Sequence, residues 1–201
     1  MEMKSINERL DEITNKITEL KAQIEMGWNL KPKEFKDYTW REIKEMVAND
    51  TIKLEVGESR DIELYTGEIV KCYVANLKPF RLIFAINGEY RMNDTNTNAG
   101  GYENSKMATE FIPQIVKLLP KDLQNVITNC RLLTQKEVNK YSDDSLFLFE
   151  TKTLSKLFTN HYWWWLQEPV DYDGFANVYH DGGLYYHNAR DSYGVCLCLE
   201  F

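Results

Sequence analysis

A group of aromatic and polar residues in the last thirty positions has the composition of a binding surface. Tyrosine rings give rigid contact area that stacks on apolar faces of sugars, while short polar side chains form adaptable hydrogen bonds. The predicted ligand-binding residues are Tyr172, Asp173, Tyr179, Tyr185, Tyr186, His187, Asn188, Arg190 and Tyr193. The alternative interpretation is a tyrosine-rich sheet that packs on itself or on a neighbouring subunit.

Nucleophilic catalysis has little support in the sequence. The three histidines are His161, His180 and His187, and no serine or cysteine motif places a nucleophile beside them. Cys196 and Cys198 have apolar or acidic neighbours in the sequence, so we expect no adjacent residue to lower the pKa of their thiols. We therefore predict that the protein is not an enzyme and has no catalytic residues.

The sequence gives equally little support for a metal site. The segment Asp171-x-Asp173-Gly174 offers carboxylates of the kind calcium prefers, but acidic turns with glycine are common without any metal. The four cysteines, at positions 72, 130, 196 and 198, lack the two-residue gap of a zinc knuckle. We predict reduced thiols, no metal site and no cofactor.

The overall composition narrows the class of protein. The chain has 201 residues, of which 43% are hydrophobic and 27% charged, as in ordinary globular proteins. A net charge of −7 without a basic patch argues against nucleic acid as a partner. No apolar run approaches the ~18 residues of a membrane span. The first residues lack a secretory signal, so we expect synthesis in a cytosol and no membrane insertion.

The first 27 residues carry a heptad pattern. Apolar residues follow one another at alternating spacings of three and four, while the flanking e and g positions are polar. A helix that docks on its own domain usually has a wider apolar stripe. Residues 1–27 therefore predict a coiled coil, and isoleucine at d positions favours trimers or tetramers. The predicted oligomerisation residues are Met3, Ile6, Leu10, Ile13, Ile17, Leu20 and Ile24.

Residues 28–38 are interpreted as a linker, and residues 39–201 as one α+β domain. Thr39 and Glu42 have the spacing of a capping box, which predicts a helix start. Apolar residues at helical spacing predict a helix over 108–119, and Pro120 begins a shorter one. Strands are predicted from alternating or continuous apolar residues at 52–56, 62–64, 69–74, 82–86 and 146–149.

The end of the chain predicts a hairpin and a core strand. Asp181-Gly182-Gly183 separates two strand-like runs, as a hairpin turn does. Alternation in the last strand predicts that it buries one face. The predicted structural core residues are Trp163, Trp164, Trp165, Val195, Leu197 and Leu199.

Several motifs, in a fixed order, resemble a known family. They include Thr39-Trp40-x-x-Ile43, Val56-Gly57-Glu58, and Met92-Asn93-x-Thr95-x-Thr97-Asn98-x-Gly100-Gly101-Tyr102-x-x-Ser105-x-Met107. Further along come Leu118-Leu119-Pro120, Leu146-Phe147-Leu148, Trp164-Trp165-Leu166-x-x-Pro169 and Gly194-Val195. Residues 39–201 thereby resemble an uncharacterised domain-of-unknown-function family of phages, prophages and Gram-positive bacteria. That family looks related to C-type-lectin-like and sulfatase-modifying-factor folds.

The resemblance implies a fold and a role. It implies a C-type-lectin-like domain in which a tryptophan-rich strand and a final Gly-Val strand form the centre. Such a domain, following a coiled coil in the sequence, is expected to be the head of an oligomeric phage protein, with three chains in the oligomer. The expected role of that protein is to bind a receptor at a tail tip or fibre. A capsid decoration protein of the same architecture is the first alternative, and a cytosolic modifying-factor-like enzyme using Cys196 or Cys198 is the second.

The expected partners follow from this role. They are further copies of the chain, other tail or capsid proteins, and a glycan or protein on the host surface. The expected location is the virion, after synthesis in the bacterial cytoplasm.

Overall fold

The computed structural model describes residues 6–28, 33–139, 155–156 and 163–201. The chain divides into two compact units, Met1–Glu34 and Phe35–Phe201. The first contains helix α1, Ile6–Trp28. The second, called the globular unit below, mixes helices with a large sheet, which confirms the α+β prediction.

Helix α1 exposes its apolar stripe. Its side chains are described for residues 9–24, so Ile6 lies outside that range and Met3 outside the described residues altogether. The remaining five heptad side chains are between 48% and 57% exposed, and they are Leu10, Ile13, Ile17, Leu20 and Ile24. Within the described part of the chain, no helix is long and apolar enough to span a membrane.

Eight strands of the globular unit form one sheet. Their bounds are β1 Ser59–Glu63, β2 Ile69–Leu77, β3 Phe80–Tyr90, β4 Asn129–Leu132, β5 Trp163–Val170, β6 Gly174–Tyr179, β7 Leu184–Asn188 and β8 Tyr193–Glu200. The order is β1-β2-β3-β8-β5-β6-β7, and β4 also pairs with β8. All pairs are antiparallel except β5 with β8. One edge of β8 therefore bonds β3, while β5 and β4 share its other edge.

The described residues of the globular unit include four α-helices: α2 Trp40–Ala48, α3 Ile112–Leu118, α4 Lys121–Gln124 and α5 Gln135–Val138. The predicted capping box at the start of α2 is confirmed, since Thr39 and Glu42 exchange hydrogen bonds. The helix predicted over 108–119 begins as a π-helical turn, Met107–Phe111, and continues as α3. Two short 3-10 turns lie at Phe35–Asp37 and Tyr102–Asn104.

The centre of the sheet is buried on both faces. On one face Leu82, Trp165 and Leu197 belong to the larger apolar cluster, and on the other Trp164 and Cys198 belong to a smaller one. Strand β8 is fully buried from Gly194 to Leu199. The prediction that the last strand buries a single face is therefore wrong, because this strand lies in the middle of a sheet that is covered on both sides.

Of the other sequence predictions, some are confirmed by the structure and some are wrong. The hairpin at Asp181–Gly183 is confirmed by the pairing of β6 with β7. The strand predicted over 52–56 is wrong: Leu54 is buried there, but the segment is not a strand and no described strand pairs with it. The strand predicted over 146–149 lies outside the described residues. Phe35, within the predicted linker, is buried and packs edge-on against Trp40.

Candidate binding site

Four of the nine predicted ligand-binding residues gather around Trp163. Its ring centroid lies 4.2 Å from that of Tyr179, 5.2 Å from Tyr185, 4.5 Å from His187 and 6.0 Å from Tyr193. These five residues are called the aromatic cluster below. Edge-on and offset contacts at such distances are the favourable arrangements for aromatic rings.

The strand register explains why these side chains meet. Trp163 lies opposite Tyr179 across β5 and β6, so both point to the same face. Tyr185 and His187 are two residues apart on β7, and their partners on β6 share that face as well. Because β7 is the edge strand, Tyr185 is 46% exposed, whereas His187 is half-buried. The cluster therefore combines a packed base with an accessible rim.

Polar groups accompany the rings. Burial, with a contribution from the charge of Asp191, raises the pKa of Tyr193 to about 12, so its hydroxyl remains a hydrogen-bond donor at neutral pH. His187 Nδ1 lies 3.6 Å from an Asp191 carboxylate oxygen, a charged pair when the imidazole is protonated. The site can thus stack on an apolar ligand face and hydrogen-bond a hydroxyl group beside it.

The other predicted residues lie elsewhere. Tyr186 belongs to the opposite face of β7 and is 63% exposed. Tyr172 and Asp173 are in the exposed β5–β6 turn, where Tyr172 is 94% exposed. Asn188 and Arg190 are exposed at the end of β7 and beyond it. The structure therefore does not bring all nine residues into one site.

The β5–β6 turn is fastened by Asn98 from the polar loop at 93–98. Its Nδ2 lies 3.2 Å from the carbonyl oxygen of Val170, 2.8 Å from that of Asp171 and 3.0 Å from that of Gly174. The same loop donates from Asn93 N to the Ala189 carbonyl after β7. Two surface segments that carry predicted residues are therefore held by the motif on which the family resemblance rests.

Asn177 is an unusual polar residue beneath the aromatic cluster. It is fully buried, and neither its Oδ1 nor its Nδ2 has a hydrogen-bond partner among the residues that the structure describes. Its strand partners are Trp165 and Tyr185, so its side chain points to the face of the cluster. Because Trp163 on β5 reaches rings on β7, its indole crosses β6 on the side to which Asn177 points.

Sequence reasoning missed two members of this region. Trp163 was expected in the structural core with Trp164 and Trp165, and only the latter two are fully buried. Val195, Leu197 and Leu199 are fully buried as well. Asn177 carried a signal, since it interrupts the apolar run Phe175-Ala176-Asn177-Val178. The position of Trp163 needed the strand order, which local pattern does not contain.

Cys196 and Cys198 lie in an environment that does not favour a reactive thiolate. Cys196 and Cys198 are fully buried and form no disulfide. Burial raises the pKa of Cys198 to about 12 and also raises that of Cys196, so both thiols stay protonated at neutral pH. Among the described residues, no group of three or more His, Cys, Asp or Glu side chains could hold a metal ion.

Comparison with known proteins adds no relative. The chain matches no family model, and it has no significant match among curated proteins or solved structures. The family resemblance of the sequence motifs therefore stays a prediction.

Proposed function

We propose that this chain is an oligomeric structural protein of a phage particle, whose globular units bind a receptor on the host surface through the aromatic cluster. The observation that carries the proposal is the accessible ring of Tyr185 beside the half-buried His187 and Trp163. Rings at the edge of a sheet, with Tyr193 and Asp191 close by, suit the alternating apolar faces and hydroxyls of a glycan.

Oligomerisation through α1 belongs to the same proposal. The apolar stripe of this helix is about half exposed, and its seven-residue spacing matches a coiled-coil seam. A second and third copy of α1 would cover that stripe. Three globular units held together would raise the strength of weak single-site contacts by a factor of ~100 or more.

A C-type-lectin-like fold is the finer part of the proposal. The family resemblance implies a tryptophan-rich strand beside a final Gly-Val strand, and here Trp164 pairs with Gly194 and Trp165 with Val195. This parallel pair in an otherwise antiparallel sheet supports the proposed fold. The buried, protonated thiols of Cys196 and Cys198 give no support to the alternative of a modifying-factor-like enzyme.

The test uses two neighbouring tyrosines that differ in the face they occupy. Labelled parent protein is incubated with cell walls purified from a panel of Gram-positive bacteria, and the bound fraction is measured by cosedimentation. Tyr185→Ala should weaken binding at least roughly tenfold, because it removes a stacking ring. Tyr186→Ala, on the opposite face, should bind as the parent does.

Two results would oppose receptor binding. One is equal binding by the parent and Tyr185→Ala. The other is the absence of wall binding by the parent together with labelling of capsids by an antibody against this chain, which would favour capsid decoration.

A further inference from the structure

A second surface of interest lies at the opposite edge of the sheet from the aromatic cluster. Strand β1 is the terminal strand there and, within the described residues, pairs only with β2. A cavity of about 770 Å³ runs beside it, within the size range of ligand sites. It is lined by β1 and the turn that follows it, by Trp40 and by Pro120–Asp122. We call this cavity the edge groove.

The register of β1 shows which backbone groups face the edge groove. Leu64 N donates to the Glu68 carbonyl and Val74 N to the Glu58 carbonyl, so even-numbered residues direct their backbone toward β2. Backbone groups of an antiparallel strand alternate in direction. Asp61 and Glu63 therefore direct their N–H and C=O groups away from β2, and these groups have no hydrogen-bond partner within the described chain.

The next outward-facing amide along this edge has a partner within the protein. Tyr65, two residues after Glu63, donates its N–H to the carbonyl of Leu118 at the end of α3, at 2.8 Å. One outward-facing amide along this edge is thus satisfied by a segment from outside the sheet. The two before it open on a cavity instead. Within the described residues, no chain lies alongside β1 to accept and donate hydrogen bonds at Asp61 and Glu63.

The edge groove also offers a cation. Arg60 lies with its guanidinium carbon 4.2 Å from the Trp40 ring centroid, and its Nη1 donates to the Tyr38 carbonyl at 2.8 Å. These contacts fix the side chain, while no hydrogen bond joins Nη2 to a described residue; the Asp122 carboxylate, which also lines the groove, interacts with Arg60 through its charge. A guanidinium that is held by stacking and by one hydrogen bond is ready to bind a carboxylate with its free amino group.

We propose that the edge groove binds an extended peptide segment of another protein, which adds to β1 as a further strand and places an acidic side chain on Arg60. Main-chain hydrogen bonds to Asp61 and Glu63 give the affinity, and the carboxylate gives the preference, as in other cases of strand addition. A structural protein of a particle would use such a groove to attach to a neighbouring protein. The edge groove is independent of the aromatic cluster, so either can fail without the other.

The test exploits the outward direction of the Glu63 amide. Proline at this position removes an N–H that bonds nothing in the chain and leaves the β1–β2 ladder intact, as is tolerated in edge strands. The probe is an acetylated, amidated hexapeptide that alternates Val with Thr and has one central Glu. Its binding to the full-length protein is measured by titration calorimetry. Glu63→Pro should bind it roughly tenfold more weakly than the parent, the cost of one hydrogen bond.

Controls separate the backbone from the side chains. Glu63→Ala should bind as the parent does, because its amide is retained, and thermal melting should show all three proteins folded. If Glu63→Pro does not fold, a probe N-methylated at alternate residues gives the same information with the parent. The same peptide with Lys in place of Glu should bind at least tenfold more weakly.

Several outcomes would overturn the proposal. Failure of the Glu peptide to bind the parent, or equal binding to Glu63→Pro, removes strand addition. Equal binding of the Lys peptide removes the role of Arg60. A change of oligomer mass in Glu63→Pro without any peptide binding would make the edge groove an interface between copies of this chain.

Discussion

Trp163 and His187 lie on strands that are not neighbours, yet their ring centroids are 4.5 Å apart and their planes are inclined by 72°. Strand β6 separates them, so the indole spans the face of that strand. This arrangement places a tryptophan of the triple-tryptophan segment at the surface while the next two residues are buried. Residues adjacent in sequence therefore have different environments.

The first prediction compares two adjacent tryptophans. Trp164→Ala should lower the free energy of unfolding by ~3–5 kcal/mol, because it leaves a large cavity in the core. It also removes the hydrogen bond from Trp164 Nε1 to Ser155 Oγ. Trp163→Ala should lower the free energy of unfolding by less than half as much, but it should weaken binding to cell walls. Urea unfolding of both variants checks the difference, and equal losses would show that Trp163 is a core residue.

The second prediction concerns the apolar stripe of α1. Ile17→Asn should shift the mass measured by light scattering toward that of a single chain, because it places an amide in the proposed seam. Glu19→Asn, on the outer side of the helix, is the matched control and should leave the mass unchanged. A normal mass for Ile17→Asn over a range of dilutions would mean that α1 does not hold the oligomer together.

The third prediction follows from the unpartnered amide of Asn177. Replacing a buried polar group that makes no hydrogen bond by an apolar group of similar size removes a desolvation cost of ~1–3 kcal/mol. Asn177→Leu should therefore unfold at a urea concentration equal to or higher than the parent. Most core substitutions do the reverse. A loss of stability would reveal that the amide has a partner, such as an ordered water molecule.

The fourth prediction concerns a buried ion network. Glu137 is 4% exposed and accepts hydrogen bonds from Arg131 and Arg81. Burial alone would raise the pKa of Glu137, but the hydrogen bonds and charges around it, Arg131 foremost, lower it below its usual value. The folded state is therefore stabilised above the ordinary pKa of glutamate, and this contribution is lost as pH falls through the lowered pKa.

Glu137→Gln tests that contribution. At pH 7 it should lower the free energy of unfolding by ~2 kcal/mol, because Arg131 and Arg81 lose charge-assisted hydrogen bonds to Glu137 and keep Glu200 as a carboxylate partner. The difference from the parent should shrink as pH falls below about 4.5. Urea unfolding at a series of pH values checks this, and a difference that is constant with pH would exclude the ionised carboxylate as the cause.

Glu168 provides the matched control of opposite sign. Burial raises the pKa of this carboxyl, and its Oε2 has no hydrogen-bond partner within the described part of the chain. The protonated form is favoured in the folded protein, so the parent loses stability as pH rises through the raised pKa. Glu168→Gln should remove that loss and should be at least as stable as the parent at pH 7. Destabilisation at neutral pH would mean that the charged form gains more from the Gln135 N–H, which donates to its Oε1, than it loses by burial.

Local pattern predicted local structure well. Asp181-Gly182-Gly183 predicted the hairpin because a tight turn needs those residue types, and Thr39 with Glu42 predicted the start of α2 for a similar reason. The alternation at 52–56 failed because a strand also needs a partner, and none lies beside it among the described residues. Pattern describes what a segment favours, whereas pairing depends on the rest of the chain.

The candidate site was predictable only in part. Composition indicated Tyr179, Tyr185, His187 and Tyr193, which the structure brings together around Trp163. Composition could not show that Tyr186 faces the other way from its neighbour, since this depends on register. The edge groove left no sign in the sequence, because it arises from a free strand edge and a helix that lie far apart along the chain.

The position of β8 between β3 and β5 has a consequence for biosynthesis. Strand β3 leaves the ribosome about a hundred residues before β8, which at ordinary rates of translation is on the order of ten seconds. During that interval Leu82 and Phe84 have no partner strand on one side of β3. This edge of β3 must therefore be kept from pairing with other chains, because β8 joins β3 to β5 only after it has emerged from the ribosome. Expression at low temperature or with added chaperones should accordingly raise the yield of folded protein.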